Sequence, residues 1–439
     1  MDYTTYVLFN LTENLPIMFK CDTLSLIFGG ITLLIWVLCG YYSISYFKGD
    51  KKVKGYAVSY FLTLLIILAL DMAGNLVTFY MLFEMMTLFS VPLVFHNRTR
   101  EAIMAALKYL FYSLCGAYCV LFGFYFVYTH ADTITFTPGG VLAGNVTPQN
   151  QGILMLSVLL MILGFSVKGG MLPMHAWLTT AHPVAPAPAS AFLSGIIVKA
   201  GVLGIVRVIY FIAGPDFIRG TYVQYTVAIL SICTVFLGSM LAYRENLLKK
   251  RLAYSTVSQV SYIIFGLIAL HPIAFVGAIS HVVFHAIIKS CLFLFAGAVI
   301  HETGKEYVDE LTGMGKQMPL VWWSYTFASL SLIGIPPAAG FISKWNLCIG
   351  ALKSNLGVLG YVGPAVLLIS ALLTAGYLLP ITIKGFLPGE DFDTSNLKKL
   401  HVSMWMIVPL VILGLLSLGL GIFPNILTNA LRALSLTLM

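Results

Sequence analysis

The sequence predicts an all-α polytopic membrane protein of about twelve transmembrane helices. It further predicts two inverted five-helix repeats, each containing a broken helix. Three observations carry this reading. Hydrophobic residues make up 59% of the 439-residue chain and charged residues only 10%, with mean hydropathy +0.92. A water-soluble domain carries about 25% charged residues. Apolar segments of bilayer length follow one another with few interruptions. Two of these segments are long and broken by glycine and proline, at Gly169, Gly170 and Pro173 and again at Gly334, Pro336 and Pro337. The ten-residue alternation of an outer-membrane barrel is absent.

The spans are read in order. The first covers 22–47, and the next three cover 55–74, 75–96 and 103–129. A Gly/Pro/Asn/Thr-rich connection without Lys or Arg then leads to the broken span 152–178. Spans 186–211, 221–243, 250–270 and 273–300 follow. The second broken span is 319–350, and 357–384 and 402–424 complete the set. This divides the chain into an N-terminal segment with the first helix (1–54), a first repeat (55–211), a second repeat (221–384) and a C-terminal transmembrane helix (385–439). In each repeat the fourth span is the broken one. Five helices is an odd number, so the second repeat enters the membrane with opposite polarity. Interrupted segments at corresponding positions point to a transport site. Broken backbone is tolerated at depth only inside protein or beside a wet cavity.

The formal net charge of +8 has a local origin. Basic residues recur on every second loop: Lys48, Lys51, Lys52 and Lys54; Arg98 and Arg100; Arg244, Lys249, Lys250 and Arg251; Lys305 and Lys316; Lys384, Lys398 and Lys399. The positive-inside rule then puts the Lys48–Lys54 loop in the cytoplasm and both termini outside the inner membrane. The charge is thus explained without nucleic acid. The cysteines form no CxxC pair, so metal or cluster ligation has no thiolate group to build on. No cleavable signal peptide is evident, since residues 1–21 lack a basic start followed by an apolar stretch.

Six basic residues lie inside the spans: Lys108, Lys168, Lys199, Arg207, Lys289 and Lys344. An ionisable group at that depth costs several kcal/mol without a partner or water. Glu84 is the acid placed deepest in a span, and Asp71 lies nearer a span end. Lys168 is the natural partner of Glu84, either in a fixed ion pair or in a switch that loads and unloads a proton. His281, His285 and Lys289 are spaced i, i+4, i+8 and share one helix face. Imidazoles relay protons near neutrality. The two histidines lack a third ligand for a metal. Lys199 lies mid-span among glycines, and Lys344 follows the second break. Lys108 and Arg207 sit nearer span ends and are expected to snorkel. His175 and His182 flank the first break, as an entrance relay or as satisfied loop histidines. Tyr254, Ser255, Ser258 and Gln259 make a polar patch, for water or for helix pairing. No catalytic centre, metal site or cofactor motif is visible.

Four stretches carry a family likeness: YMLFEMMTL around Glu84; GFSVKGGMLPMHAWLTTAHPVAPAPASAFLSGIIVKAG with Lys168 and Lys199; RLAYSTVSQVSY through HAIIKSCLFLFAGAVIH with Lys289; and GIPPAAGFISKW with Lys344. On these the chain resembles the antiporter-like subunits shared by respiratory complex I, energy-converting membrane hydrogenases and Mrp-type cation/proton antiporters. The resemblance implies that Glu84 modulates Lys168. It implies that Lys199 and Lys289, with nearby histidines, form a central relay, and that Lys344 is its terminal lysine. The expected order is Lys168, Lys199, Lys289, Lys344. It implies H⁺ or Na⁺ translocation within a redox-driven complex, beside other membrane subunits including further antiporter-like ones. Family members usually carry two helices before the one that begins near Asp22, and the most distal complex I member carries a long lateral helix after the last span. Neither is expected here. An Mrp-type antiporter subunit, a self-sufficient transporter and a non-conducting scaffold are the competing readings.

The orientation is testable. A cysteine placed in the 132–150 connection should react with an impermeant thiol reagent from outside intact cells. Labelling only in inverted vesicles would reverse the assignment.

Overall fold

The structure is a computed structural model and describes residues 5–13, 15–389 and 399–439. Lys398, counted above among the basic loop residues, lies outside them. It opens with a feature the sequence reading did not contain. Strands β1 (Thr5–Thr12) and β2 (Leu15–Lys20) pair antiparallel. The hairpin is held on the bundle by backbone bonds from Lys20 N–H to Met72 O (2.7 Å) and from Gly74 N–H to Met18 O (2.9 Å).

Helices α1 (Thr23–Tyr46), α2 (Val53–Asp71), α3 (Leu76–Val94) and α4 (Arg100–His130) follow as expected. Three of them start on a side-chain cap of the usual kind, from Asp22, Asn75 and Thr99. The first broken span is α5 (Gln151–Gly169) and α6 (Ala176–Val184). Helix α7 (Ala187–Ala213) is completely buried and contains two π-helical stretches. Then come α8 (Tyr222–Arg244), α9 (Leu248–Ile268) and α10 (Pro272–Thr303). The second broken span is α11 (Pro319–Ile333) and α12 (Ala339–Leu352). Helices α13 (Leu359–Phe386), α14 (Met404–Ile422) and α15 (Asn425–Leu438) close the chain. The last is a further helix beyond the expected terminal span.

Among the described residues, ten helices are individually long and apolar enough to cross a membrane. The count falls short of twelve for two physical reasons. The second broken span is divided into 15- and 14-residue pieces, each too short alone. Helix α9 carries Lys249, Lys250 and Arg251 in its first turn.

Both breaks use the same device. Helix α5 stops at Gly170 (φ 72°) and α11 at Gly334 (φ 93°). A left-handed residue there turns the chain out of the helix, and only glycine adopts it without a steric cost. The stop leaves carbonyls without helical donors. At the first break the Trp177 indole N–H donates to Val167 O at 2.8 Å. At the second, the ammonium of Lys344 takes that role.

The connection at 131–150 is not a loose loop. Its Gly139 and Val141 amides donate to Tyr210 O (3.0 Å) and Ile212 O (2.8 Å), and Phe136 and Leu142 are buried. It therefore satisfies carbonyls freed by the second π stretch of α7. At the opposite end of the bundle His96 Nε2 meets Asp50 Oδ2 at 2.6 Å and pins the α1–α2 turn to the end of α3. The Lys52 backbone amide, and after it the His96 bond, hold the Asp50 carboxyl below its ordinary range. Lys249 and Arg251 are not free loop charges. Both are buried, donating to Ala185 O (2.9 Å) and to Tyr377 O (3.0 Å) respectively.

Candidate ion path

The candidate residues run inward from Glu84. Glu84 is half-buried on α3, and its Oε1 is buried without a hydrogen-bond partner. Lys168, in the last turn of α5, is 1% exposed. Its Nζ donates to Thr87 Oγ1 (2.7 Å) and Ser113 Oγ (3.0 Å) and sits 4.4 Å from the centre of the Tyr109 ring. Thr87 follows Glu84 by one turn of the same helix. Glu84 and Lys168 are within electrostatic reach, but no ion pair joins them among the described residues. The lysine is parked on neutral hydroxyls, a turn away from the carboxylate.

Helix α7 approaches Lys168 through Gly201. A Cβ at that position would lie 2.5 Å from Phe165 O and 2.8 Å from Lys168 Cβ. Two residues earlier, Lys199 is 2% exposed. Its Nζ contacts His285 Nδ1 at 2.8 Å and donates to Ser194 O. Ser194 lies in the first π-helical stretch of α7, where the regular ladder is displaced. Such stretches recur at functional sites.

From His285 the contacts continue along α10. His281 and His285 stack with ring centres 5.8 Å apart. His281 Nδ1 meets Ser343 Oγ at 2.8 Å, and its Nε2 meets Gln259 Oε1 at 3.1 Å. The Gln259 member of the polar patch thus joins the path. Ser343 precedes Lys344, whose Nζ donates to Leu332 O (2.6 Å) and Ile333 O (3.1 Å). A cation at a helix C-terminus is favoured by the orphan carbonyls and the macrodipole. The Tyr262 ring lies 5.0 Å from this ammonium and stacks on His281.

Lys289 departs from the expected order. It lies one turn beyond His285, and its Nζ turns away to Leu252 O (2.9 Å) and Ser255 Oγ. Side-chain contacts therefore run Lys199, His285, His281 and Ser343, the residue before Lys344, and Lys289 hydrogen-bonds to none of these. The two broken spans also differ: Lys168 precedes its break, whereas Lys344 follows its own.

His182 is 1% exposed, has both ring nitrogens unpartnered, and stacks on Phe293 at 4.5 Å. His175 is half-buried, with Nδ1 unpartnered. Neither hydrogen-bonds to a path lysine. Lys108 is half-buried in a surface groove shared with Lys250. Arg207 does not snorkel: it is 1% exposed and grips Asp22 through Nη1 (2.5 Å) and Nη2 (3.1 Å). A buried guanidinium with a carboxylate in fork geometry has no reason to seek the interface. Asp71, read as nearer a span end, is only 2% exposed.

The sequence reading missed Thr87, Ser113, Tyr109, Ser194, Ser343 and Tyr262. For Thr87 and Ser343 a signal existed, since each lies within one turn of a buried charge. Ser113, Tyr109 and Tyr262 are supplied by partner helices and carry no local mark, and Ser194 is marked only by the π-helical backbone of α7.

Fold and site together define a polytopic membrane protein with buried lysines, two of them on broken helices. A family model described as NADH:quinone oxidoreductase/Mrp antiporter, transmembrane, matches residues 73–379, and the chain belongs to that family as an antiporter-like membrane subunit. It is 31% identical over 383 residues to NADH-quinone oxidoreductase subunit N of Desulforudis audaxviator, covering 83% of this chain and 74% of that one. It is 28% identical to a Na⁺/H⁺ antiporter subunit of Alkalihalophilus pseudofirmus, covering 88% and 76%. A chain of the archaeal membrane-bound sulfane sulfur reductase shares the fold, with TM-score 0.87, 21% identity, and 98% and 85% covered.

The Gly201 contact yields a prediction. Gly201→Val should separate α7 from the Lys168 turn and lower stability by about 1–3 kcal/mol. Thermal unfolding of the purified chain in detergent reads it, and an unchanged midpoint would contradict the contact.

Proposed function

We propose that this chain translocates protons, or Na⁺, across the inner membrane as a subunit of a redox-driven multi-subunit complex. The path is Glu84, Lys168, Lys199, His285, His281 and Lys344, with Lys289 as a branch and His175 and His182 at the entrance. The observation that carries this is the bonding of the buried lysines. Lys168, Lys199, Lys289 and Lys344 are held by neutral hydroxyls, carbonyls or imidazole, with no ion pair among the described residues. A lysine locked to a carboxylate is costly to neutralise, because an unpaired buried anion remains. A lysine held by neutral acceptors can give up its proton and leave no such charge. Histidines between lysines supply donors and acceptors in both tautomers.

Glu84 has the complementary role. Moving Lys168 by a turn toward Glu84 stabilises its charged form; returning it to Thr87 and Ser113 removes that support. A swing of one ammonium thus couples an outside event to the proton affinity of the path. The redox-driven reading is supported by the resemblance to NADH-quinone oxidoreductase subunit N. The Mrp-type alternative is supported by the resemblance to the Na⁺/H⁺ antiporter protein. Either requires neighbouring membrane subunits, further antiporter-like ones among them. The basic-loop pattern supports termini on the outer side.

Glu84→Gln in the assembled complex should reduce ion translocation under load without loss of assembly; full translocation would contradict the coupled pair. Lys344→Ala should uncouple transfer at one end. Lys344→Arg should not restore it, because guanidinium stays charged across the working pH range. Wild-type pumping in both Lys344 variants would remove that residue from the path.

A further inference from the structure

Where α10, α12 and α15 meet, the molecule has an open groove of about 400 Å³ that the ion path does not use. Its two long walls belong to helices in close antiparallel contact. A Cβ on Gly277 would lie 2.7 Å from Leu347 N, and one on Gly350 would collide with Ala274 N. This contact brings apolar side chains of both helices to one surface: Val276 from α10, and Trp345 and Ile349 from α12. Leu436 of α15 adds a third side. Trp345 and Leu436 are 57% and 75% exposed, so the groove opens outward and not into the core. Trp345 stands about 10 Å along α12 from the end of that helix at Leu352. The apolar trough therefore runs well into the membrane-spanning part of the bundle.

Polar groups in the groove are few. Asn346 Nδ2 donates to Ile342 O at 3.0 Å, and Ser435 Oγ donates to Arg432 O at 2.8 Å. Arg432 supplies the one charge in the described lining, and no carboxylate shares it. It is exposed, and its guanidinium forms no ion pair or hydrogen bond among the described residues. The charged groups beside the groove do not answer it. Lys353 follows Ile349 by one turn and is exposed. His271 precedes α10, with Nδ1 accepting the Ile273 amide at 3.2 Å. Asp216 is paired with Arg219 at 3.5 Å. One cation beside an apolar trough is complementary to an amphiphile with one anionic group and a hydrocarbon tail. A guanidinium within a bilayer is costly without a partner, and its fork matches a phosphate through two parallel bonds.

We propose that this groove binds an anionic phospholipid, with the phosphate on Arg432 and an acyl chain against Val276, Ile349 and Trp345. The site stands apart from the translocation reading, since binding is measured without ion flux. It bears on the path all the same. The seam it covers carries the His281–Ser343 bond one turn further along, and Trp345 follows Lys344 in the chain. A seated acyl chain fills the open side of that seam and holds α12 on α10.

The test uses the full chain purified in detergent and titrated with phospholipid brominated in its acyl chains, because bromine quenches tryptophan emission only at short range. The chain has six tryptophans, so the Trp345 signal is the difference between wild type and Trp345→Phe. Phosphatidylglycerol should quench that signal at an about fivefold lower mole fraction than phosphatidylcholine, the advantage one basic residue gives an anionic lipid. Arg432→Gln should remove the preference, and Arg432→Lys should keep most of it. Equal quenching by the two lipids in the wild type, or a preference unchanged in Arg432→Gln, would overturn the site. Should Arg432→Gln lower the unfolding midpoint, the wild-type preference between the two lipids decides alone. In the assembled complex the same difference signal should remain quenchable. Protection there assigns the groove to a neighbouring subunit and overturns the lipid.

Discussion

The organisation of this protein follows from one constraint: an amine buried in a bundle of low dielectric must be satisfied without being locked. Full ion pairing would satisfy it and freeze it. Arg207 on Asp22 shows the ion-paired form in the same molecule. The path lysines take the other solution. Each binds groups that carry no net charge, supplied by helix ends, a π-helical stretch, polar side chains of neighbouring helices or, for Lys289, the Leu252 carbonyl of α9. The orphan carbonyls Leu332 O and Ile333 O exist because α11 stops at Gly334. Ser194 O accepts from Lys199 within a π-helical stretch. The orphan carbonyls at a helix end are acceptors that the helix interior does not offer.

The two broken spans use the break differently. At the first, a neutral Trp177 indole adds a second donor to Val167 O, which also accepts the Gly170 amide, and Lys168 reaches across to α3 and α4. At the second, Lys344 itself takes the freed carbonyls. One lysine is therefore positioned to respond to a neighbouring carboxylate, and the other is positioned by a helix end. Between them His285 and His281 stand on one face of α10, as their spacing requires. Close helix contacts keep this line short: Gly201 lets α7 meet the Lys168 turn, and Ser343 on α12 reaches His281 directly.

Much of this was legible in the sequence, and the limits have physical causes. Span existence followed from hydropathy, because bilayer length and apolar composition are local properties. The breaks were legible because glycine and proline act locally. The buried lysines stood out by their cost. What was not legible depends on partners distant in sequence. Arg207 read as a snorkelling residue because its partner, Asp22, lies 185 positions away. Thr87 and Ser113 are ordinary mid-span polar residues until Lys168 arrives. The branching of Lys289 follows from which side of α10 faces α9, and spacing along one helix does not determine that. The hairpin and α15 were missed for a different reason: they lie outside the apolar spans, where hydropathy gives no signal.

The central claim is that the charge crosses from Lys199 to Lys344 through the two histidines of α10. The most direct measurement is ion flux into proteoliposomes driven by the assembled complex carrying His285→Phe. That substitution keeps an aromatic ring on α10 but removes both nitrogens, including the contact to Lys199. The account predicts that the complex assembles and that flux is lost. Flux at the wild-type rate would contradict it, because His285 supplies the side-chain bond that joins Lys199 to α10.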